Sequence, residues 1–224
     1  MPKNVKRASK DGVTRRGFLK GAGLTAAGAA LADAVARGAT ASARDEALEA
    51  EAKVAGPGAV AVALKVNGTE RRLSVEPRAT LAEVLRFELG LTGTKVVCDR
   101  GSCSACTVWL DKVPVCSCMT LALDVGPRAV TTIEGLAPDE ATLHPVQQAF
   151  IEYDALQCGF CTPGMIMSCA ALVERKPDAA LEDVRAATSG NLCRCGTYPK
   201  VFEATLAAAA RKSRAPGKKG GDER

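Results

Sequence analysis

Histidine and aromatic residues are scarce in this sequence. Its 224 residues include one histidine, one tryptophan, two tyrosines and five phenylalanines. A single histidine excludes any site that needs two, such as an iron–sulfur cluster of the Rieske type. The apolar share of 47% is ordinary, but alanine supplies much of it, so we expect small and partly helical cores.

The chain also lacks an excess of charge outside its N-terminus. Residues 1–43 hold eight Lys or Arg and two Asp, whereas residues 44–224 hold 22 basic and 23 acidic residues. This balance argues against a nucleic-acid-binding protein, which would be expected to have an excess of basic residues. The sequence also contains no pattern that resembles a catalytic nucleophile or an acid–base pair, so we expect no substrate chemistry on this chain.

The first 43 residues predict a targeting segment. Basic residues lead to the consecutive Arg15 and Arg16, followed by Phe-Leu-Lys, which is typical of a twin-arginine export signal. The weakly apolar stretch 21–36 is too short for a stable transmembrane helix. We therefore expect a periplasmic protein that is exported already folded.

A first folded unit is expected at 59–137, after a linker at 44–58. Alternating apolar residues predict a strand that ends at Asn67-Gly68, a typical two-residue hairpin turn. We favour this turn over glycan attachment at the asparagine. A capping box predicts a short helix after Thr80, and a second hairpin is expected about Asp111-Lys112.

The first unit contains five cysteines. Three have the C-x4-C-x2-C spacing of plant-type ferredoxins, in which one loop wraps a [2Fe–2S] cluster. These three are Cys98, Cys103 and Cys106. The fourth ligand is expected after the second hairpin, at Cys116 or Cys118. A strand would point both of these side chains the same way, so the spacing leaves both open.

A second unit is expected at 138–212, where apolar residues recur at helical spacing and predict a small bundle of four helices. Pro145 suits the first turn of the first helix, and the second helix is expected at 162–175. The remaining basic tail, 213–224, is expected to be flexible. Two loops that can meet at one end of the bundle hold four cysteines: Cys158, Cys161, Cys193 and Cys195.

Three further residues receive structural interpretations. Trp109 is expected in a core or hairpin. Cys169 lies on an apolar helical face and is interpreted as a buried core cysteine. His144 directly precedes the proline that opens a helix, so we expect it to act at the helix start and not as a metal ligand.

Other uses of ten cysteines were weighed against iron–sulfur clusters. The C-x-x-C and C-x-C pairs of the second unit would by themselves also fit a structural zinc site. An exported chain could instead form disulfides. The ferredoxin spacing of the first unit favours clusters over both, and export in the folded state lets the thiols bind metal before they meet an oxidant.

Together these motifs resemble the small iron–sulfur subunit of the xanthine oxidase family of molybdenum hydroxylases, over nearly all of residues 60–210. With its export signal, the chain is most similar to the small subunits of periplasmic aldehyde oxidoreductases. The departures from the family pattern are Ser104, where relatives usually have glycine, the additional Cys116, and Gly196-Thr197-Tyr198 in place of the commoner Thr-Gly-Tyr. The resemblance rests on Cys98 to Cys106, Ser117-Cys118, Gln157 to Gly164 and Asn191 to Gly196.

The resemblance implies an α+β fold, with a β-grasp plant-type ferredoxin domain followed by a four-helix [2Fe–2S] domain. It favours Cys118 over Cys116 as the fourth ligand of the first cluster, beside the three loop cysteines. It also implies that the four cysteines of the second unit bind a second [2Fe–2S] cluster.

The resemblance further implies that Gln157 contacts the molybdopterin of a separate large subunit. Electrons would pass from molybdenum through both clusters to FAD on a third subunit or to an external acceptor such as a cytochrome. The chain would then be the non-catalytic subunit of an aldehyde or N-heterocycle oxidoreductase. The rival hypotheses are a free-standing exported carrier, against which Gln157 argues because nothing would dock on it, and a zinc-stabilised binding module.

Overall fold

The computed structural model describes residues 56–139 and 141–214. The expected export signal, residues 44–55 of the linker and the tail from 215 onwards lie outside these described residues. The two described segments belong to one compact unit. Within them, no helix combines the length and the apolar character that a membrane span requires.

Five strands form one mixed sheet in the order β2-β1-β5-β3-β4. Strand β5 pairs parallel with β1 and antiparallel with β3, which agrees with the predicted β-grasp arrangement. The strands are β1 (Val60–Val66), β2 (Thr69–Val75), β3 (Thr107–Leu110), β4 (Val113–Cys116) and β5 (Ala129–Thr131). The β5 strand was not predicted, because three residues are too few to show an alternating pattern.

Both predicted hairpin turns are confirmed. Asn67 and Gly68 have φ angles of 49° and 80°, and Asp111 and Lys112 have φ angles of 48° and 67°. Positive φ at both central residues defines the type I′ turn, whose twist matches that of the flanking strands. The Asn67 side chain also bonds both the backbone N–H and the hydroxyl of Thr132, so its amide is engaged in the fold.

The helix predicted after Thr80 is confirmed at its start and differs beyond it. Thr80 and Glu83 form the expected capping box at the start of α1 (Leu81–Glu83). The chain then widens into a π-helical turn, Val84–Glu88, whose Val84 and Leu85 are buried. A continuous α-helix was expected from spacing alone, which cannot reveal such a local change of hydrogen bonding.

Four helices form the second unit, as predicted. They are α2 (Pro145–Glu152), α3 (Thr162–Arg175), α4 (Leu181–Thr188) and α5 (Tyr198–Arg214). Helix α3 is the most buried, with ten consecutive buried residues from Gly164 to Val173. The last helix is longer than expected and continues to Arg214, two residues into the segment that was expected to be a flexible tail.

The three structural interpretations are confirmed. Trp109 is 6% exposed and its indole Nε1 donates a hydrogen bond of 2.9 Å to the Met167 carbonyl oxygen. Cys169 is fully buried in the helical core. His144 caps α2, since its Nδ1 accepts a hydrogen bond of 3.2 Å from the Val146 N–H.

Candidate functional site

The first cysteine loop curls tightly between the π-helical turn and β3. Asp99, Gly101 and Ser104 have φ angles of 52°, 70° and 53°, and these left-handed residues turn the loop back on itself. Within the curl, the Ser102 N–H donates a hydrogen bond of 3.2 Å to Cys98 Sγ. Backbone N–H groups directed at sulfur are the arrangement expected of a loop that holds thiolates.

Cys118 approaches the loop from a short 3₁₀ turn, Ser117–Met119. The Ser117 hydroxyl donates a hydrogen bond of 2.7 Å to the Cys106 carbonyl oxygen, which holds this turn against the loop. Cys118 is 5% exposed and belongs with Cys106 to one small cluster of buried side chains. The Cys116 thiol instead lies 3.9 Å from the Gly101 carbonyl oxygen.

The second set is positioned by the N-termini of α3 and α5. Cys161 is the N-cap residue of α3, and it lines the same cavity as Cys193. Cys193 Sγ lies 3.1 Å from the Thr197 hydroxyl and accepts a hydrogen bond of 3.5 Å from the Thr197 N–H. The Cys193 N–H donates to the Tyr198 hydroxyl, at 2.8 Å, so the loop is fixed on both sides of this cysteine.

The other two cysteines of the second set lie at the surface. Cys158 is exposed and lies close enough to Cys161 for its charge to raise the pKa of that thiol. Cys195 is also exposed, and its backbone helps to lower the pKa of the Cys193 thiol. The second set is therefore divided between two half-buried cysteines, Cys161 and Cys193, and two exposed ones.

The two cysteine sets open onto one shared cavity of about 450 Å³. Thiols of the first set, Cys98 and Cys103, line it together with three of the second set: Cys158, Cys161 and Cys193. Several of the remaining lining residues are apolar, among them Val97, Phe160 and Leu192. The two sets therefore face each other across a common space.

Direct hydrogen bonds join the two cysteine loops. The Leu192 N–H donates a hydrogen bond of 3.1 Å to the Cys103 carbonyl oxygen, and Asn191 Nδ2 donates one of 3.3 Å to the Ser104 carbonyl oxygen. Gly164 of α3 allows this approach, because a Cβ at that position would lie 2.3 Å from the Ser104 carbonyl oxygen. A single hydrogen bond thus connects the backbone of Cys103 to the residue before Cys193.

One thiol in each set has a lowered pKa. Hydrogen bonds to Cys98 lower the pKa of its thiol to about 7, and the largest effect comes from the backbone at Arg100. Burial opposes ionisation of Cys193, but the hydroxyl and N–H of Thr197 outweigh it and bring the pKa to about 7. Charge-stabilising hydrogen bonds of this kind favour the thiolate.

Burial has the opposite effect on the deeper thiols. It raises the pKa of Cys118 to about 11 and that of Cys161 to about 12, and it also raises the pKa of Cys106. A bound metal centre would reverse this effect, because a coordinating thiol is deprotonated by the metal charge. The buried thiols of both sets would therefore ionise when they bind a positive centre.

The donor sets fit [2Fe–2S] clusters. None of the ten cysteines is in a disulfide. Among the described residues, no three His, Cys, Asp or Glu side chains gather as ligands of a single metal ion. The thiols instead influence one another in pairs: Cys103 helps to lower the pKa of Cys98, and Cys161 helps to lower that of Cys193, while Cys118 acts in the same direction on the buried Cys106. Pairs of neighbouring thiols suit a Cys₄ cluster, because each iron takes two thiolates.

One contributor to the site was missed from the sequence. Thr197 Oγ1 lies 3.1 Å from Cys193 Sγ, and its N–H donates a hydrogen bond of 3.5 Å to the same sulfur. Thr197 lies four residues after the cysteine that it contacts. A threonine at that spacing after a cysteine, directly following a glycine, is the signal that could have identified it.

Comparison with protein families identifies both units. Residues 64–127 match the family described as the 2Fe-2S iron-sulfur cluster binding domain, and residues 132–206 match the family described as the [2Fe-2S] binding domain. The chain therefore contains two [2Fe–2S]-binding domains. This result overrides the zinc alternative for the C-x-x-C and C-x-C pairs of the second unit.

Known proteins are similar in sequence to this chain. The nicotine 6-hydroxylase small subunit of Paenarthrobacter nicotinovorans is 45% identical over 147 residues, covering 66% of this chain and 88% of that protein. The aldehyde oxidoreductase iron–sulfur-binding subunit PaoA of Escherichia coli is 40% identical over 164 residues, covering 66% of this chain and 71% of that protein.

A solved structure shows the same architecture. In the crystal structure of quinoline 2-oxidoreductase from Pseudomonas putida 86, one chain is 39% identical and superposes with a TM-score of 0.67, covering 70% of this chain and 98% of that chain. The domain pair, the relatives and the shared fold agree with one another. This chain belongs to the iron–sulfur small subunits of the xanthine oxidase family of molybdenum hydroxylases.

Proposed function

We propose that this chain is the exported electron-transfer subunit of a molybdenum hydroxylase that oxidises aldehydes or N-heterocycles. The observation that carries the proposal is the hydrogen bond between Leu192 and Cys103, which joins the two thiol loops across one shared cavity. When bound, a [2Fe–2S] cluster accepts and releases single electrons. Two such sites in direct contact suit electron transfer between them.

The ligands of this proposal are the two sets of four cysteines. Cys98, Cys103, Cys106 and Cys118 would hold the first cluster, and Cys158, Cys161, Cys193 and Cys195 would hold the second. Hydrogen bonds to sulfur and burial are the means by which a protein sets a cluster's reduction potential. Here the Ser102 N–H and Thr197 N–H supply those bonds.

The second set lies on the side where a molybdenum subunit would dock. Its Cys158 and Cys195 are exposed, as is the neighbouring Gln157, which would contact the molybdopterin. Phe160 and Leu192 are 52% and 57% exposed beside the same cavity. Contiguous exposed apolar side chains mark an interaction surface, and a docked large subunit would exclude water from the surface cysteines.

The first set would pass electrons onward. Cys103, Cys106 and Cys118 are buried, and the direct contact with the second set is through Cys103 and Ser104. The acceptor would be FAD on a third subunit or an external carrier such as a cytochrome. Export rests on the twin-arginine pattern at Arg15 and Arg16, and the large subunit would travel with this chain.

Cryogenic EPR of the full chain tests the proposal. After dithionite reduction, we expect two distinct S = ½ signals, together with iron and acid-labile sulfide contents that correspond to two [2Fe–2S] clusters per chain. Cys195→Ala should remove one signal and half the iron. A colourless, EPR-silent wild-type chain that contains zinc would defeat the proposal and leave only an exported metal-stabilised module.

A further inference from the structure

Five thiols surround the first cluster site, although a [2Fe–2S] cluster binds four. The fifth belongs to Cys116, which is half-buried at the end of β4. It packs against the small side-chain cluster of Ala82, Cys106 and Cys118. Cys116 is therefore part of the same group of side chains as two of the proposed ligands.

Cys116 and the turn that holds Cys118 lie beside the same residue of the cysteine loop. The Cys116 thiol lies 3.9 Å from the Gly101 carbonyl oxygen. A Cβ at Gly101 would lie 3.0 Å from Cγ of Met119, and Met119 directly follows Cys118 in the 3₁₀ turn. Cys116 and the turn of Cys118 therefore approach one position on the loop.

Ser104 holds the Cys116 thiol against the loop. The Ser104 hydroxyl lies 3.8 Å from Cys116 Sγ. Its backbone is anchored, because its carbonyl oxygen accepts hydrogen bonds from the Thr107 hydroxyl at 2.7 Å and from Asn191 at 3.3 Å. Ser104 keeps a φ of 53°, a left-handed conformation that is unfavourable for residues other than glycine.

The surroundings of Cys116 leave room for its thiol to move. A cavity of about 170 Å³ opens beside it, lined also by Ser104, Thr107, Val115 and Asn191. Cys116 is the last residue of β4, where it pairs with Thr107, and the next three residues form the 3₁₀ turn. A change in that turn can redirect Cys116 without breaking the earlier pairs of the strand.

We infer that Cys116 is a reserve ligand of the first cluster, which binds iron in place of Cys118 when the Cys118 thiolate is absent. The inference rests on the proposed function. The Cys116 thiol would release its proton to solvent, and its thiolate would form an S–Fe bond at the iron position that Cys118 leaves without a ligand. No S–Fe bond is broken and no electron is transferred, so the step requires neither an oxidant nor a reductant.

The test compares three variants of the full chain: Cys118→Ala, Cys116→Ala and the double variant. Alanine cannot bind iron, so we expect Cys118→Ala to keep the wild-type iron and sulfide contents and both EPR signals, one with shifted g values. The double variant should lose half of its iron and one signal. Cys116→Ala should match the wild type in both measurements.

Cys195→Ala is the matched control, because we expect no reserve thiol at the second site. Cys169, the remaining cysteine outside both sets, is fully buried in the helical core. It should lose half of the iron. A Cys118→Ala chain that loses half of its iron overturns the inference, because a reserve ligand would keep the first site filled. Loss of both EPR signals in that variant also overturns it. A wild-type chain without two signals defeats the proposed function instead.

Discussion

The backbone N–H of Leu192 lies 3.1 Å from the carbonyl oxygen of Cys103, and this hydrogen bond links two loops separated by 89 positions in the chain. Leu192 immediately precedes Cys193, so the bond connects the peptides of two proposed cluster ligands. The contact between the sites is thus made by the backbone and does not require a particular side chain at position 192.

Asn191 supplies the neighbouring side-chain contact, and we expect Asn191→Ala to weaken the junction. Asn191 is 4% exposed and donates to the Ser104 carbonyl oxygen, and loss of one such hydrogen bond costs about 1 kcal/mol. Urea unfolding of the cluster-loaded chain, followed by visible absorbance, measures the loss. Ser189→Ala is the control because Ser189 is exposed and should change the free energy of unfolding much less. Equal stability of the two variants would contradict the expectation.

Gly164→Ala should separate the two cysteine loops. The added Cβ would lie 2.3 Å from the Ser104 carbonyl oxygen and 3.0 Å from Ala105 Cα, so backbone must move. Overpacking of this kind costs about 1–3 kcal/mol. The magnetic splitting between the two EPR signals should also decrease as the clusters move apart. Gly58→Ala is the control, since its Cβ would meet nothing within 4 Å. If Gly164→Ala kept the wild-type spectrum and stability, Gly164 would not be needed for the close approach of the two loops.

The free energy of unfolding should fall as the pH drops through the range below 6.5. Burial lowers the pKa of His144 from its ordinary value of 6.5, against the opposing effect of Glu174. The unfolded chain therefore takes up the proton first, and the stability present above pH 6.5 is lost as the pH falls toward the folded-state pKa. Protonation also removes the Nδ1 acceptor that caps α2.

His144→Asn isolates this effect, because asparagine caps helices but does not titrate. Between pH 7 and the range below pH 6.5, the unfolding free energy of this variant should vary less than that of the wild type. The groups that face His144 are Glu174 and, through it, Lys212. Their ion pair remains charged in this range because the pKa of Glu174 is lowered by Lys212, in spite of burial. Parallel pH profiles for the two chains would exclude His144 as the source.

Changing Arg15 and Arg16 to Lys should retain both this chain and the large subunit in the cytoplasm. The twin-arginine pattern is the export signal of the proposal, and the large subunit would depend on it. Cell fractionation with immunodetection of both subunits measures the distribution. A large subunit that still reached the periplasm would show that it carries its own signal, and unchanged export of this chain would refute the assignment of the segment.

Local features of the fold could be predicted from short stretches of sequence. The turns at Asn67-Gly68 and Asp111-Lys112, the cap at Thr80 and the helix opened by Pro145 all depend on residues within one or two turns of chain. Each of these patterns acts through local sterics or hydrogen bonding. That is why each was found without any knowledge of the tertiary structure.

Contacts between distant segments could not be predicted in this way. The cysteine spacings indicated two cluster sites, but the bond from Leu192 to Cys103 and the close approach of Gly164 to Ser104 depend on how the two units pack. Strand β5 also depends on such contacts, since Ala129–Thr131 is too short to show an alternating pattern and is defined by its pairing with β1 and β3. The choice between Cys116 and Cys118 came from family resemblance and not from spacing.

The only tryptophan of the chain is placed where the sheet meets the helices. Trp109 belongs to β3, yet its indole bonds the carbonyl oxygen of Met167 in α3. Any event that parts the two domains would expose this indole to water and shift its fluorescence to longer wavelength. Trp109 fluorescence therefore reports whether the two domains remain in contact. It can be measured in the cluster-free chain without a label or an engineered probe.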